Sequence, residues 1–320
     1  MNSIMRTKEE YGGFLPLELN PGKELFAKYE DNLIRFNSVK ASLDFLIRKL
    51  EKKEIWIPYY YCPSTIEAIK KTGIWVKFYH VNEKLLPDYV PDIEQAIVIL
   101  VDYFGVRSED VKVIGLQYKK ASVIIDNAHS FFSKPIFADN VYNVYSAKKF
   151  IGIPDGAYLV SHRKFNHNYD LSQSGDYVEY LFNAYEKGTN AVYSMKKKAD
   201  KEIAENYAPM SKLAVGLLQN VNYERIEEQR QRNYNILHSL LRDVNELDIP
   251  EKCAAYHYPL LIKEKIYVST LWNGNDLLIN GNSIELNMSQ NAIFLPIDQR
   301  YNEDDMKYIA LSVLNKLKLL

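Results

Sequence analysis

Short runs of β-branched and aromatic residues alternate with amphipathic stretches along the first half of the chain. Ala96–Val101 is continuously apolar, which is typical of a strand covered on both faces, because such a strand has no solvent side. Val39–Glu51 and Pro63–Thr72 instead carry apolar residues at helical spacing. This alternation predicts an α/β fold, with a mostly parallel central sheet sandwiched by helices. The predicted strands are Glu54–Pro58, Ile74–Tyr79, Ala96–Val101, Ser122–Asp126, Val141–Ser146 and Ala157–Ser161.

The pattern changes near residue 188, where a long helical stretch begins. Its later part, Met210–Leu241, can hold two helices or one bent helix. After Pro250, short strand-like runs and Asn/Gly-rich turns predict a small α+β domain. We therefore expect a large α/β domain at residues 1–225 and a smaller C-terminal domain at residues 226–320. The elements predicted in the smaller domain are the strands Tyr258–Lys263 and Ile266–Trp272 and the helix Glu303–Leu319.

Composition and charge narrow the class of protein. The 320 residues carry 40 Lys and Arg against 41 Asp and Glu, so no long-range field attracts nucleic acid or an anionic membrane. Apolar runs stay far below the roughly 18 residues that a membrane span needs. Cys62 and Cys253 lie far apart, and Met1–Glu10 lacks the apolar stretch of a signal peptide. We expect a cytoplasmic protein that binds neither nucleic acid nor a membrane.

Candidate chemistry follows two of the predicted strands. Asp126 ends one of them, and His129 comes three residues later. Parallel sheets bind ligands outside the carboxyl ends of their strands, so Asp126 stands where a functional acid belongs. A turn or helix-capping Asp beside a partly buried His is an equal alternative. Lys148 and Lys149 follow Val141–Ser146, and a lysine there is either a solvated loop charge or, if desolvated, an amine that can form a Schiff base.

A strand-end acid and a lysine about twenty residues further on are what a pyridoxal 5'-phosphate (PLP) site needs. The acid keeps the pyridine nitrogen of the cofactor protonated, so that the ring withdraws electrons. The lysine forms the Schiff base and later shuttles a proton. The histidines show no spacing that suggests metal ligation. The sequence therefore predicts a PLP enzyme and no metal site.

These segments resemble the DegT/DnrJ/StrS family of PLP-dependent sugar aminotransferases, which have the fold type I architecture. Asp126–His129 (DNAH) matches the Asp-x-x-His/Gln motif of the family. Ser146–Gly156 (SAKKFIGIPDG) resembles its Ser…Lys…Gly-Asp-Gly segment. Further similar segments extend the resemblance over nearly the whole chain. They are Gly12–Glu18, Ile57–Pro63, Asp102–Gly105 and Leu295–Tyr301.

The resemblance implies roles for the residues that carry the chemistry. Lys149, favoured over Lys148 by counting back from Asp155, would form the Schiff base and act as acid and base. Asp126 would bind the pyridine nitrogen, and His129 would lie near the ring hydroxyl. These three residues form the most specific part of the resemblance.

On the phosphate side the chain departs from the family pattern. Ser38, Val39 and Lys40 stand where the family has Ser-Gly-Thr at a helix N-terminus, which can still bind the phosphate through its N–H groups. Lys40 either replaces the threonine hydroxyl with an ammonium or points to solvent. Ser146 would help to hold the phosphate, although its spacing to the lysine is shorter than usual. Asn206 would reach the phosphate from a second subunit, although the arginine usual in that segment is absent.

An aromatic side chain usually stacks on the cofactor ring in this family. Tyr61 is the candidate here, and Cys62 lies equally close to the matching position. The alternative for the tyrosines of this turn is packing of loops and interfaces. Trp272 resembles a position that faces the substrate, although a core or loop tryptophan is the commoner case.

The activity that the resemblance implies is the transfer of an amino group, from glutamate, to a keto group of a nucleotide-linked sugar. The family acts in polysaccharide or secondary-metabolite synthesis and builds its sites across a homodimer. One alternative is a PLP enzyme of another outcome, such as a dehydratase or an enzyme of a non-sugar substrate. Another is a non-catalytic paralogue that binds a sugar or a protein partner.

Overall fold

A seven-stranded sheet forms the centre of the molecule in the computed structural model, which describes residues 13–165, 171–263 and 271–317. A separate two-stranded sheet comes from the C-terminal part of the chain. The strands are β1 (Leu33–Phe36), β2 (Glu54–Pro58), β3 (Trp75–Tyr79), β4 (Ala96–Val101), β5 (Ser122–Asn127), β6 (Val141–Ser146), β7 (Ala157–Ser161), β8 (His257–Leu260) and β9 (Ile293–Pro296). The helices are α1 (Val39–Leu50), α2 (Pro63–Lys70), α3 (Ser108–Gln117), α4 (Glu179–Lys187), α5 (Tyr193–Glu205), α6 (Lys212–Leu218), α7 (Tyr223–Leu241), α8 (Asn275–Asn280), α9 (Ser283–Asn291) and α10 (Glu303–Lys316).

The strand order of the large sheet is β1-β7-β6-β5-β4-β2-β3. β3, β2, β4, β5 and β6 run parallel, whereas β7 pairs antiparallel with both β6 and β1. Parallel neighbours need a long crossover, while the short segment 147–156 lets β7 turn straight back along β6. The predicted α/β class with a mostly parallel sheet is confirmed.

All of the strands predicted between residues 54 and 161 are present, with ends that differ by at most one residue. β1, however, was not anticipated from the sequence. Its four residues include Arg35, whose guanidinium pairs with Glu24 at 2.9 Å and with Glu30 at 2.6 Å. This charge interrupts the apolar pattern that marks the other strands in the sequence, whereas an edge strand such as β1 readily carries a charged side chain.

The helical stretch Met210–Leu241 contains two helices, α6 and α7. Each begins at a capping side chain: Ser211 accepts the N–H of Ala214 at 3.0 Å, and Asn222 accepts the N–H of Arg225 at 3.0 Å. Such caps satisfy N–H groups that the helix itself leaves unpaired. The predicted division between residues 225 and 226 falls within the first turn of α7, and the domain division itself stays a prediction.

In the C-terminal part, β8 pairs antiparallel with β9, and α10 packs along α7. The predicted strand Tyr258–Lys263 is present but ends at Leu260, and the last helix ends at Lys316. The predicted strand Ile266–Trp272 lies, except for its last two residues, outside the described residues. No helix in the described ranges is long and apolar enough to cross a membrane.

Candidate active site

A cavity of about 480 Å³ lies at the carboxyl ends of β5 and β6, beside the N-terminus of α1. Parallel sheets place their ligands at this edge. Every predicted site residue except Asn206 lines the cavity. The lining residues that the sequence pointed to are Ser38, Val39, Lys40, Tyr61, Asp126, His129, Ser146 and Lys149.

Two donors hold the carboxylate of Asp126. Its Oδ1 accepts the backbone N–H of Ala128 at 2.9 Å, and its Oδ2 accepts the hydroxyl of Tyr61 at 2.5 Å. Burial raises the pKa of Asp126 above its usual value, while the Tyr61 hydroxyl, the Ala128 N–H and the charge of Lys149 act in the opposite direction. A carboxylate held in this way can accept a hydrogen bond from a cationic ring nitrogen.

Lys149 and His129 meet inside the cavity, with Lys149 Nζ 2.7 Å from His129 Nε2. Lys149 keeps contact with solvent in the cavity, yet protein surrounds the ammonium closely. The resulting desolvation lowers the pKa of Lys149, although Cys62 and Asp126 act to raise it. Burial, and then the charge of Lys149, lower the pKa of His129 well below its usual value, so the imidazole is neutral. A lysine whose neutral form is accessible is the nucleophile that a Schiff base requires.

Lys148, the preceding residue, has a different environment. Its Nζ lies 2.6 Å from Oδ1 of Asp200 on α5. Lys196, one turn earlier on the same helix, lies 2.6 Å from the other carboxylate oxygen of Asp200. Burial lowers the pKa of Lys148, and Asp200 counteracts that effect by stabilising the ammonium. This ion pair favours Lys149 over Lys148 as the reactive lysine.

Aromatic rings contact His129. Trp272 stacks on the imidazole with ring centroids 5.3 Å apart, and Tyr256 stacks on it at 5.0 Å. The Tyr256 ring also lies 5.2 Å from Lys149 Nζ. Among the described residues, Nδ1 of the buried His129 finds no hydrogen-bond partner. Because buried polar atoms are normally paired, this nitrogen points to a polar group that the protein itself does not supply.

The backbone around His129 is packed against the loop after β4. Gly105 has φ +86°, and a Cβ at this position would lie 2.2 Å from the carbonyl oxygen of His129. The same carbonyl accepts the N–H of Tyr256 at 3.1 Å. The thiol of Cys253 donates to the Gly105 carbonyl at 2.7 Å. Segments from both halves of the chain therefore hold the histidine in place.

The N-terminus of α1 faces the cavity with its first residues. Ser38 caps the helix by accepting the N–H of Ala41 at 3.2 Å. The first N–H groups of a helix lack intrahelical partners, and the helix dipole favours an anion beside them. Ser146, the last residue of β6, and Lys40 line the same cavity. Lys40 forms no ion pair with any other described residue, which leaves both of its predicted orientations open.

Which side chain stacks on the cofactor ring stays a prediction. Tyr61 is 2% exposed, and its ring meets Trp272 edge-on at 6.3 Å while its hydroxyl bonds to Asp126. Cys62, at the N-terminus of α2, lines the same cavity. Burial alone would raise the pKa of Cys62, but the hydrogen bond with Ser64 and the charge of Lys149 bring it below its usual value.

Asn206 does not reach the cavity of its own chain. Its side chain is exposed, and its carbonyl accepts Nδ2 of Asn37 at 2.5 Å. Ser211, from the same segment, caps α6, and its N–H donates to Asp155 at 2.9 Å. The role of Asn206 in a second subunit therefore stays a prediction.

Sequence reasoning missed several residues that line the cavity: Tyr256, Lys196 and Asp200. The spacing of Lys196 and Asp200 places them on one face of a helix, but no pattern in the sequence says what that face meets. Tyr256 comes from a segment without a motif. Its place beside Lys149 arises only when the C-terminal half folds against the sheet.

The residues of the cavity fit PLP. They include an acid for a pyridine nitrogen, a lysine of lowered pKa for the aldehyde, and an unpaired buried nitrogen on His129. A helix N-terminus and a serine are available for a phosphate. A search of the described residues for His, Cys, Asp or Glu side chains grouped closely enough to ligate a metal ion finds none.

Solved structures share this architecture. The chain is similar to PseC of Helicobacter pylori, an aminotransferase involved in the biosynthesis of pseudoaminic acid, with TM-score 0.59, 15% identity and coverage of 94% of this chain and 93% of that chain. It is similar to a DegT DnrJ EryC1 StrS aminotransferase from Brucella abortus, with TM-score 0.57, 14% identity and coverage of 89% and 86%. It is also similar to a GDP-4-keto-6-deoxymannose-3-dehydratase with a trapped PLP-glutamate geminal diamine, with TM-score 0.58, 14% identity and coverage of 89% of each chain.

The chain therefore has the fold of the DegT/DnrJ/StrS-type sugar aminotransferases, and the resemblance seen in the sequence is confirmed at the level of the fold. No protein-family model matches the chain, and no curated protein sequence does.

Proposed function

We propose that this protein is a PLP-dependent aminotransferase that transfers an amino group from glutamate to a keto group of a nucleotide-linked sugar. The observation that carries this proposal is the contact of Lys149 Nζ with His129 in the cavity that also holds Asp126. Structures of the same fold support it, because they include sugar aminotransferases and an enzyme trapped with PLP and glutamate. The products would serve polysaccharide or secondary-metabolite synthesis.

Each residue has a task in this reaction. PLP, when bound, supplies an electron-withdrawing ring that acidifies the C–H bond next to the substrate nitrogen. Lys149 would attach the cofactor and, once released, accept a proton at Nζ and return it to a neighbouring carbon, which its lowered pKa permits. Asp126 would accept the hydrogen bond of the ring nitrogen, and His129 would bind the ring hydroxyl. The phosphate would lie against Ser38, Val39, Lys40 and Ser146.

We also propose that the protein works as a homodimer in the cytoplasm. In a dimer the exposed Asn206 could reach the cavity of the partner, as its segment does in the family that the sequence resembles. Two free cysteines, both partly buried, fit a reducing compartment. The near-zero net charge gives no reason to expect nucleic acid as a partner.

A trapping experiment tests the cofactor and its attachment. The purified protein is incubated with PLP, reduced with borohydride, digested and analysed by mass spectrometry. We expect one modified peptide, with the label on Lys149. Protein that loses all PLP on dialysis and shows no labelled lysine would contradict the proposal and favour a non-catalytic paralogue.

The second candidate function is dehydration of a keto sugar, because one structure of the same fold is a dehydratase. The two activities differ in the fate of the glutamate nitrogen when the protein is incubated with glutamate and a keto sugar nucleotide. An aminotransferase releases 2-oxoglutarate and leaves nitrogen on the sugar in equal amounts. A dehydratase instead removes a hydroxyl group from the sugar, and its final product carries no nitrogen from glutamate. Product analysis with ¹⁵N-glutamate distinguishes them.

A further inference from the structure

Tyr61 and Asp126 form a short polar contact in the cavity, with the phenol oxygen 2.5 Å from Oδ2. Both partners are buried, with Tyr61 2% and Asp126 5% exposed. Tyr61 follows β2 and Asp126 lies at the end of β5, so the sheet brings the two together from 65 residues apart. A phenol donates to a carboxylate through a short, charge-assisted bond.

The neighbouring tyrosines use their hydroxyls differently. Tyr103 donates to the carbonyl oxygen of Tyr60 at 2.7 Å, and the hydroxyl of Tyr60 has no hydrogen-bond partner among the described residues. Of this cluster of three, Tyr61 alone has a hydroxyl bonded to an acid. Its ring meets Trp272 at an interplanar angle of 76°, so it packs by its edge.

We infer that Tyr61 is a positioning residue for Asp126, whose carboxylate it orients and keeps ionised through its hydroxyl. The inference rests on the proposed function, in which Asp126 binds the ring nitrogen of PLP. It assigns Tyr61 a task other than stacking on that ring. With Oδ1 on the N–H of Ala128 and Oδ2 on Tyr61, rotation of the carboxylate would break one of the two bonds.

Other groups around Asp126 act on its charge as well. Lys149, across the cavity, stabilises the carboxylate. Asp126 in turn raises the pKa of the buried Asp102, which follows β4, because two buried acids repel each other. The phenol of Tyr103 stays protonated, since burial raises its pKa well above the usual value, and so does that of Tyr61. His129 is neutral. Tyr61 is thus the side chain that donates to the carboxylate directly.

The variant Tyr61→Phe keeps the ring and removes only the hydroxyl. The matched control is Tyr103→Phe, which removes a buried hydroxyl bonded to a backbone carbonyl in the same cluster. PLP affinity is measured between pH 5 and pH 8 by absorbance titration. We expect Tyr61→Phe to weaken binding about tenfold at neutral pH, the scale of one hydrogen bond to a charged group. The acid limb of the profile moves to higher pH, because loss of the donor raises the pKa of Asp126. Tyr103→Phe leaves that limb unchanged.

A second measurement needs no cofactor. The carboxyl pKa of Asp126 is followed by ¹³C NMR in the PLP-free protein, and Tyr61→Phe should raise it by about one unit, as a tenfold change requires. An unchanged pKa, or equal or tighter PLP binding by Tyr61→Phe, would overturn the inference. If the pKa rises while the wild-type protein binds no PLP, the proposed function fails and the positioning of Asp126 by Tyr61 stands.

The double variant Asp126→Asn with Tyr61→Phe provides a check that does not depend on overall stability. If Tyr61 acts through Asp126, the phenylalanine should weaken PLP binding less than twofold in the Asp126→Asn background. A full tenfold loss in that background would show that the hydroxyl acts by another route, and would overturn the inference.

Discussion

Nζ of Lys149 lies 2.7 Å from Nε2 of His129, whereas Nζ of the adjacent Lys148 lies 2.6 Å from Asp200. Lysines next to each other in the sequence thus have different hydrogen-bond partners. Lys148 faces a carboxylate that stabilises its charge. Lys149 faces a neutral imidazole and has a lowered pKa. Burial lowers the pKa of both lysines, so the proposal that Lys149 reacts with the aldehyde rests on the carboxylate beside Lys148, which favours the charged form of that amine. Only a neutral amine attacks an aldehyde.

The first prediction concerns these lysines. Lys149→Ala should abolish covalent attachment of PLP, whereas Lys148→Ala should retain it, because the ion pair with Asp200 is not part of the reacting set. The measurement is the mass of the intact protein after borohydride reduction. Attachment lost in Lys148→Ala and retained in Lys149→Ala would refute the assignment.

The second prediction concerns pH. The Cys62 thiol, when ionised, acts to raise the pKa of Lys149, so Cys62→Ala should lower that pKa further. The neutral form of Lys149 then predominates from a lower pH than in the wild-type protein. The rate of covalent PLP attachment, which rises with pH through the Lys149 pKa, should therefore have its midpoint at lower pH in the variant.

Cys253→Ala serves as the control for this profile. Burial raises the pKa of the Cys253 thiol, so it carries no charge in the neutral range and its loss should leave the midpoint where it is. The rates are followed by stopped-flow absorbance. A midpoint that moves upward in Cys62→Ala would contradict the sign of the predicted coupling.

The third prediction compares two glycines that have nearly the same positive φ. Gly105 has φ +86° and Gly73 has φ +83°, but an added Cβ meets the His129 carbonyl at 2.2 Å in the first and nothing within 4 Å in the second. Gly73→Ala should cost about 1 kcal/mol of the free energy of unfolding, from backbone strain alone. Gly105→Ala should cost more than about 3 kcal/mol, because the backbone must also move. Urea unfolding measures both, and equal losses would show that the close approach is unimportant.

The fourth prediction concerns Arg230, which is 2% exposed. It donates to Gln299 and to the carbonyls of Ala255 and Tyr256, each at 3.2 Å, and Gln299 in turn donates to the carbonyl of Phe150 at 2.9 Å. Burial lowers its pKa to about 10, so it remains charged at neutral pH. Arg230→Ala should lower the free energy of unfolding by roughly 3 kcal/mol, because buried carbonyls lose their donor.

Arg230→Ala should also weaken PLP attachment, because the groups that Arg230 and Gln299 hold are next to Lys149. Phe150 follows Lys149 in the chain, and the Tyr256 ring lies beside the ammonium of Lys149. Arg232→Ala, two residues along on the exposed face of α7, is the matched control and should change neither quantity by more than about 0.5 kcal/mol. Similar losses in both variants would argue against this network.

The strands of the central sheet were accessible from the sequence. A strand covered on both faces excludes polar side chains, so Ala96–Val101 and its neighbours stand out as apolar runs. The same reasoning places Asp126 at the edge where ligands bind. β1 was not predicted, because the charge of Arg35 interrupts its apolar pattern, and the ion pairs of Arg35 with Glu24 and Glu30 are seen only in the folded chain.

The sequence by itself determined the class of fold and the edge of the sheet that carries the cavity, and its resemblance to a known family pointed to several of the side chains that line it. The fold class and the sheet edge follow from local pattern, because apolar periodicity and strand ends are properties of short segments. Only the tertiary structure decided that Lys148 pairs with Asp200, that Tyr61 donates to Asp126, and that Tyr256 lies against Lys149. Such contacts join residues from distant segments, and their geometry depends on how the helices and the C-terminal half pack onto the sheet.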